Sequence, residues 1–106
     1  DDNILPFIAA GGKGVISVLS NVYPRETEKF AQAVLKGDME LAKAMAYDLN
    51  DVSKYLFVDV NPIMPKVALA KLGVCGEMIR RPLIKTTEAN KKLLFDAMIK
   101  FEEKGY

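Results

Sequence analysis

Two lysines carry the amine that can form a Schiff base with a carbonyl substrate, so they are the first candidates for chemistry. Lys13 precedes a predicted strand, and Lys66 lies early in a predicted helix, after two prolines. A nucleophilic lysine needs a desolvated position, because burial lowers its pKa and leaves the amine unprotonated. For both residues, the favoured interpretation is a solvated or structural lysine.

The run Gly11-Gly12-Lys13-Gly14 has the composition of a phosphate-binding loop. A P-loop has the pattern GxxxxGK[ST], follows a strand and opens a helix. Here the glycines follow a predicted helix and precede a predicted strand, which is the opposite order. The run is therefore interpreted as a helix C-cap followed by a tight turn.

The other reactive side chains lack the partners that would activate them. The chain has no histidine, so Cys75 has no imidazole to convert it into a thiolate nucleophile. Arg80-Arg81 could bind a carboxylate, but an ion pair that fixes the last helix is the favoured interpretation. No paired base lies near the tyrosines in sequence, so we expect them at the core edge or the surface: Tyr23, Tyr47, Tyr55 and Tyr106.

The composition excludes several classes of partner and cofactor. Fifteen basic and fourteen acidic residues give a net charge of +1, so nucleic acid is not a predicted partner. One cysteine and no histidine exclude an internal disulfide and a cysteine-based zinc site, and no cofactor or metal is predicted. The apolar runs are far shorter than the ~20 residues of a membrane span, so no membrane partner is predicted.

One helix and one strand are predicted in the first part of the chain. Ile4 to Ile8 indicates a helix of about two turns, with Asp1-Asp2-Asn3 at its N-terminus. Gly14–Ser20 (GVISVLS) is short, β-branched and apolar on both faces, which predicts a fully buried strand of the parallel type. A single strand cannot satisfy its own backbone, so its partners must lie outside this sequence. A strand between helices indicates an α/β fold.

Four further helices are predicted after this strand. Pro24 opens the first at its N1 position, and Gly37 ends it. Asp38 caps a long helix over Met39–Val58, and Asn61-Pro62 opens another that runs to Gly73. The long helix is predicted from apolar residues three and four apart, which form one stripe: Ala42, Met45, Leu49, Val52 and Leu56.

Residues 74–85 are predicted to be irregular, and Thr87 is predicted to cap the last helix. This helix has an apolar stripe of its own: Leu94, Ala97, Met98 and Phe101. The helices after Gly37 are interpreted as a separate helical unit.

Three motifs follow one another along the chain. Gly11–Val18 reads GGKGVISV, Asn61-Pro62-Ile63 is followed by Lys66–Leu69, and Arg80 precedes Pro82-Leu83. In this order they resemble the eighth-strand segment, the NPIP-x-K-x-AL motif and the R-x-PL motif of the dihydrodipicolinate synthase family. These enzymes are pyruvate-dependent class I aldolases, and the resemblance covers essentially the whole chain.

The resemblance implies an α/β fold, the (β/α)8 barrel, of which this chain would be the C-terminal third. Residues 1–37 would supply helix seven, strand eight and helix eight, and residues 38–106 a C-terminal helical domain. The segment itself would be mostly helical. Because the chain starts at Asp1 rather than at methionine, we expect it to be processed or to be a piece of a longer protein.

The resemblance also implies a lyase that condenses pyruvate with aspartate semialdehyde in lysine and diaminopimelate biosynthesis. In that family the Schiff-base lysine and the proton-transferring tyrosine lie upstream of the matched region. No catalytic residue is therefore expected in this segment, which would be inactive alone. One substrate contact would remain, from the backbone carbonyl of Ile16 to pyruvate. The family further implies a cytoplasmic homotetramer.

Two other interpretations stay open. One is a sibling 2-keto acid aldolase similar to N-acetylneuraminate lyase, although those enzymes usually lack the Asn61-Pro62-Ile63 motif. The other is a helical interaction module with no catalytic parent. A module of that kind predicts a stable monomer, whereas an unpaired strand over Gly14–Ser20 predicts self-association.

Overall fold

Six helices make up all the regular secondary structure in the computed structural model, which describes every residue from 1 to 106. They are α1 (Ile4–Ala9), α2 (Leu19–Val22), α3 (Pro24–Leu35), α4 (Met39–Leu56), α5 (Ile63–Lys71) and α6 (Glu88–Glu102). The expectation of a mostly helical chain is confirmed. None of the helices has the length and apolar character needed to cross a membrane.

The first helix ends in the glycine run, as predicted. Gly11 has a φ of 114°, a conformation that residues with a side chain rarely adopt. The N–H groups of Gly11 and Gly12 donate to the carbonyls of Ile8 and Phe7, both at 3.0 Å, so the last turn is satisfied. The predicted cap at the other end is absent, because the side chain of Asn3 makes no capping hydrogen bond.

The prediction of a buried strand over Gly14–Ser20 is wrong for this structure. Residues 12–17 form neither helix nor strand, and α2 already begins at Leu19. The side chain of Ile16 is 106% exposed and that of Val15 is 39% exposed, so this part of the run is not core. A strand forms by hydrogen bonding to a neighbour, and no other segment of the chain provides one.

The turn between α3 and α4 follows the predicted pattern. Pro24 occupies the first turn of α3, and Gly37 follows the helix with a φ of 79°. Asp38 Oδ1 accepts a hydrogen bond of 3.2 Å from the N–H of Leu41, which caps α4. α4 ends at Leu56 rather than at Val58, which is partly exposed.

The apolar stripes of α4 and α6 form the core of the molecule. α4 packs most extensively against α6 and α3, and it also contacts the other three helices. One cluster of buried apolar side chains joins all six helices and crosses the predicted boundary between residues 37 and 38. Every residue of the α4 stripe is exposed by 2% or less: Ala42, Met45, Leu49, Val52 and Leu56.

The connection between α5 and α6 is irregular, as predicted, and two lysines hold it in place. Lys66 Nζ donates to the carbonyl oxygen of Met78 at 2.7 Å, which ties the connection to α5. Lys91 Nζ lies 2.6 Å from Glu77 Oε1, which ties it to α6. Thr87 caps α6, as predicted, because its hydroxyl oxygen accepts from the N–H of Asn90.

The molecule exposes more surface than its mass requires. Its accessible surface is 6717 Å², whereas a compact monomer of this mass exposes about 5,900 Å². Its radius of gyration is 14.1 Å, against about 13 Å for a compact domain of this length. Exposed apolar side chains contribute to this excess, and Ile16, Phe7 and Val60 are each exposed by 60% or more.

Candidate functional site

The backbone of Ile16 is the one substrate contact that the sequence predicts, and it lies in the irregular 12–17 segment. Its carbonyl oxygen accepts no hydrogen bond from any other group of the chain. A free carbonyl can orient an amine or a hydroxyl group by accepting a hydrogen bond. The position is therefore chemically able to make the predicted contact.

An open apolar groove lies beside this carbonyl. The exposed side chains of Phe7, Val15 and Ile16 are among its lining residues. The first turn of α1 and the glycine turn complete the lining, which consists of Asp1, Asn3, Ile4, Phe7, Gly14, Val15 and Ile16. α1 and the 12–17 segment thus present one continuous surface around Ile16.

The residues after Ile16 are fixed by the carboxylate of Asp1. Asp1 Oδ2 accepts hydrogen bonds from the N–H groups of Val18, at 3.0 Å, and Leu19, at 2.9 Å. Asp1 Oδ1 accepts a short hydrogen bond from the hydroxyl of Ser17. Val18 occupies the N-cap of α2 and has no side chain that can cap it, so a carboxylate from the start of α1 does so instead.

Serine side chains tighten the same turn. Ser20 Oγ donates to the carbonyl oxygen of Ser17 at 2.7 Å, and Ser17 Oγ accepts from the N–H of Ser20 at 3.1 Å. Asn21 Nδ2 donates to the carbonyl oxygen of Val18 at 3.1 Å. The sequence does not predict this arrangement, because its local patterns place Asp1 at the N-terminus of α1 and Ser17 in a strand.

The two candidate lysines take the roles that the sequence favoured. Lys66 is committed to the carbonyl of Met78, where its ammonium group holds the α5–α6 connection. Lys13 is exposed and forms no ion pair or side-chain hydrogen bond. Neither position has the features of an activated nucleophile.

Two of the four tyrosines are bound to carboxylates. The buried Tyr23 hydroxyl donates to Glu102 Oε1 at 2.8 Å, and burial together with this bond raises the pKa of Tyr23. Tyr106 donates to Asp48 Oδ2 at 2.5 Å, and burial and this bond raise the pKa of Tyr106 to about 12. Raised pKa values keep both phenols neutral, which fits structural donors better than proton-transfer groups.

The remaining tyrosines carry no such bond. Tyr47 is 81% exposed, and Tyr55 is half-buried at the edge of the core. Tyr47, Tyr55 and Tyr106 therefore lie where the sequence placed them, at the core edge or the surface. The expectation is wrong for Tyr23, which is buried in the core.

The ion pair expected from Arg80-Arg81 is not formed, and that expectation is wrong. Both arginines are exposed, and neither lies within ion-pairing distance of an acid. Lys91 takes this role by pairing with Glu77, and their hydrogen bond lowers the pKa of Glu77 and raises that of Lys91. Lys91 lies within α6, so its ion pair with Glu77 ties the connection to the last helix.

Cys75 lies exposed in the same connection and is not part of any disulfide. No group of three or more histidine, cysteine, aspartate or glutamate side chains comes together in the chain as a metal site.

Comparison with known proteins places these features in one family. The model of the dihydrodipicolinate synthetase family matches residues 1–101. The 4-hydroxy-tetrahydrodipicolinate synthase of Exiguobacterium sibiricum is 46% identical over 98 residues, which are 92% of this chain and 33% of that protein. The synthase of Aquifex aeolicus is 41% identical over 102 residues, or 95% of this chain and 35% of that protein.

Solved structures agree with the sequence matches. The crystal structure of the Aquifex aeolicus dihydrodipicolinate synthase superposes with a TM-score of 0.89 at 41% identity, covering 96% of this chain and 35% of that one. The synthase of Methylacidiphilum fumariolicum superposes with a TM-score of 0.92 at 31% identity, covering 98% and 35%. The chain spans about a third of the length of these relatives. With its sequence motifs and its fold both matched, the chain belongs to the dihydrodipicolinate synthetase family.

Proposed function

We propose that this chain is the C-terminal part of a lyase that condenses pyruvate with aspartate semialdehyde through a lysine Schiff base, in lysine and diaminopimelate biosynthesis. One observation supports this most strongly. More than nine-tenths of the chain aligns with enzymes named for this synthase activity, at 41–46% identity in the two relatives described. The relatives are lyases, and the alignment uses only about a third of each.

The same proposal assigns barrel elements to the first 37 residues. α1 would be helix seven, the 12–17 segment strand eight, and α2 with α3 helix eight. Residues 38–106 would form the C-terminal helical domain. Two features favour this division: the 12–17 segment has no hydrogen-bonding neighbour within the chain, and apolar side chains are exposed in it and beside it.

Within this proposal the chain contributes orientation rather than covalent chemistry. The Ile16 carbonyl would accept a hydrogen bond from the Schiff-base nitrogen or from bound pyruvate, and so hold the reacting group in one orientation. Phe7 and Val15 would pack against upstream parts of the protein and exclude water around it. The lysine nucleophile and the proton-transferring tyrosine would lie upstream, so this chain alone would be inactive.

In the same proposal, the whole protein is a cytoplasmic homo-oligomer that needs no cofactor. This part of the proposal rests on the family resemblance. No observation in the structure favours a sibling aldolase. The relatives described above are all synthases, and the chain has the Asn61-Pro62-Ile63 motif that favours the synthase. A free-standing helical module is disfavoured by the match to about a third of a larger enzyme.

Trapping with borohydride tests the proposal. The full-length protein that contains this chain is incubated with pyruvate and sodium borohydride, which reduces a Schiff base to a stable adduct, and its mass is measured. We expect one reduced pyruvate per subunit, on a lysine upstream of Asp1. The matched control is the chain of residues 1–106 alone, which should gain no mass. An adduct on Lys13 or Lys66, or no adduct on the full-length protein, would contradict the proposal.

A further inference from the structure

Asp1 has an almost completely buried carboxylate that makes contacts far along the chain. Its side chain is 1% exposed. A buried carboxylate is tolerated only where its oxygens are hydrogen-bonded. All three of its donors belong to the residues directly after Ile16: the Ser17 hydroxyl and the N–H groups of Val18 and Leu19.

These bonds restrict the peptide group that contains the Ile16 carbonyl. The carbonyl of Ile16 and the N–H of Ser17 belong to one planar unit, so the carbonyl turns only if the backbone at Ile16 or Ser17 turns with it. Ser17 is bound through its side chain to Asp1, and its carbonyl is bound by Ser20. One side of the Ile16 peptide is therefore anchored, although the carbonyl itself is free.

We propose that Asp1 is a positioning residue that sets the direction of the Ile16 carbonyl towards pyruvate. The inference rests on the proposed function, in which that carbonyl orients the substrate. Asp1 does not touch the substrate and acts only through Ser17, Val18 and Leu19. The neighbouring Asp2 offers a contrast, because its side chain is 77% exposed and accepts no hydrogen bond from the chain.

The test compares Asp1→Asn with Asp2→Asn in the full-length protein. Asparagine keeps the size of the side chain but removes its negative charge, so the charge-assisted bonds from Ser17, Val18 and Leu19 are weakened, and its amide nitrogen can no longer accept from a donor. For Asp1→Asn, we expect kcat/KM for pyruvate in turnover and the rate of borohydride-trapped adduct formation each to fall about tenfold. The KM for aspartate semialdehyde should change little, and Asp2→Asn should match the wild type in both.

If Asp1 had a purely structural role, Asp1→Asn would lower the fraction of folded protein at temperatures where the wild type is stable. The kinetic parameters for pyruvate and for aspartate semialdehyde would then worsen together. Such a parallel loss, or an unchanged rate of pyruvate trapping, would overturn the positioning role. A wild-type protein that traps no pyruvate would instead refute the proposed function. If Asp1→Asn does not fold, Ser17→Ala removes the hydroxyl that donates to Asp1 and accepts from the Ser20 N–H, and it leaves the N–H donors of Val18 and Leu19 in place. We expect a loss of about threefold in kcat/KM for pyruvate alone. An unchanged trapping rate in Ser17→Ala would then overturn the inference.

Discussion

The hydroxyl of Tyr106 ties the end of the chain to the middle of α4. It donates to Asp48, whose carboxylate also lies 3.8 Å from Lys104 Nζ. The Tyr106 ring stacks on Phe101, with 5.8 Å between the ring centroids, and Lys29 Nζ lies over the Tyr106 ring at 5.5 Å from its centroid. A single phenol thus joins α3, α4 and α6.

This contact predicts a loss of stability at alkaline pH. Burial and the bond to Asp48 raise the pKa of Tyr106 from 10.0 to about 12, so the fold favours the neutral phenol. The stabilisation of the fold by the neutral Tyr106 hydroxyl is complete below a pH of about 10 and is lost as the pH rises towards 12. In the full-length protein, we expect the free energy of unfolding of Tyr106→Phe to depend less on pH over this interval than that of the wild type.

Chemical unfolding at several alkaline pH values measures this difference, and the near-ultraviolet absorbance of tyrosinate follows the titration directly. Tyr47→Phe is the matched control, because Tyr47 is 81% exposed. The account of Tyr106 fails if both variants keep the alkaline dependence of the wild type.

Only part of the candidate site could be predicted from the sequence. Ile16 is predicted through the GVIS motif, which is a local pattern, and its contact with pyruvate stays a prediction. The role of Asp1 was not found, because it depends on contacts with Ser17 and Val18 that only the turn between α1 and α2 creates. Lys91 was likewise missed, since an ion pair between distant residues leaves no periodic signal.

At the scale of elements, α4 is the structural centre. Its stripe is buried without exception, and it contacts the other five helices. Local signals predicted this helix well, because its cap and its apolar spacing each depend on residues three or four positions apart, although its end was predicted two residues too late. The strand over Gly14–Ser20 was predicted wrongly, because strand formation depends on a partner that no local pattern provides. α2 was missed because its cap comes from Asp1.

The central position of α4 predicts a large cost for truncating Met45. This side chain is 0% exposed, and replacing a fully buried methionine with alanine costs about 2–5 kcal/mol through lost burial and a new cavity. We expect Met45→Ala in the full-length protein to lower the free energy of unfolding by that amount. Tyr47→Ala on the same helix should change it by about 0.5 kcal/mol or less.

Denaturant unfolding of both variants measures the two costs. Equal losses of unfolding free energy in Met45→Ala and Tyr47→Ala would contradict the structure, in which Met45 lies on the buried face of α4 and Tyr47 on the exposed face.

At the scale of the whole molecule, the chain combines a well-formed core with one unsatisfied face. The core of α4, α3 and α6 is continuous, yet the accessible surface exceeds that of a compact monomer by about 800 Å². Phe7, Val15 and Ile16 lie together on this face, beside the backbone that lacks hydrogen-bonding partners. Our account is that upstream strands of the barrel cover this face and complete the site.

Amide hydrogen exchange at residues 14–17 tests that claim most directly. It is measured in residues 1–106 alone and in the full-length protein, with the amides of α4 as an internal reference for folding. We predict rapid exchange at Val15, Ile16 and Ser17 in the isolated chain, because their N–H groups donate no hydrogen bond there. In the full-length protein we predict slow exchange, as in a central strand. Equally rapid exchange in both proteins would contradict the account.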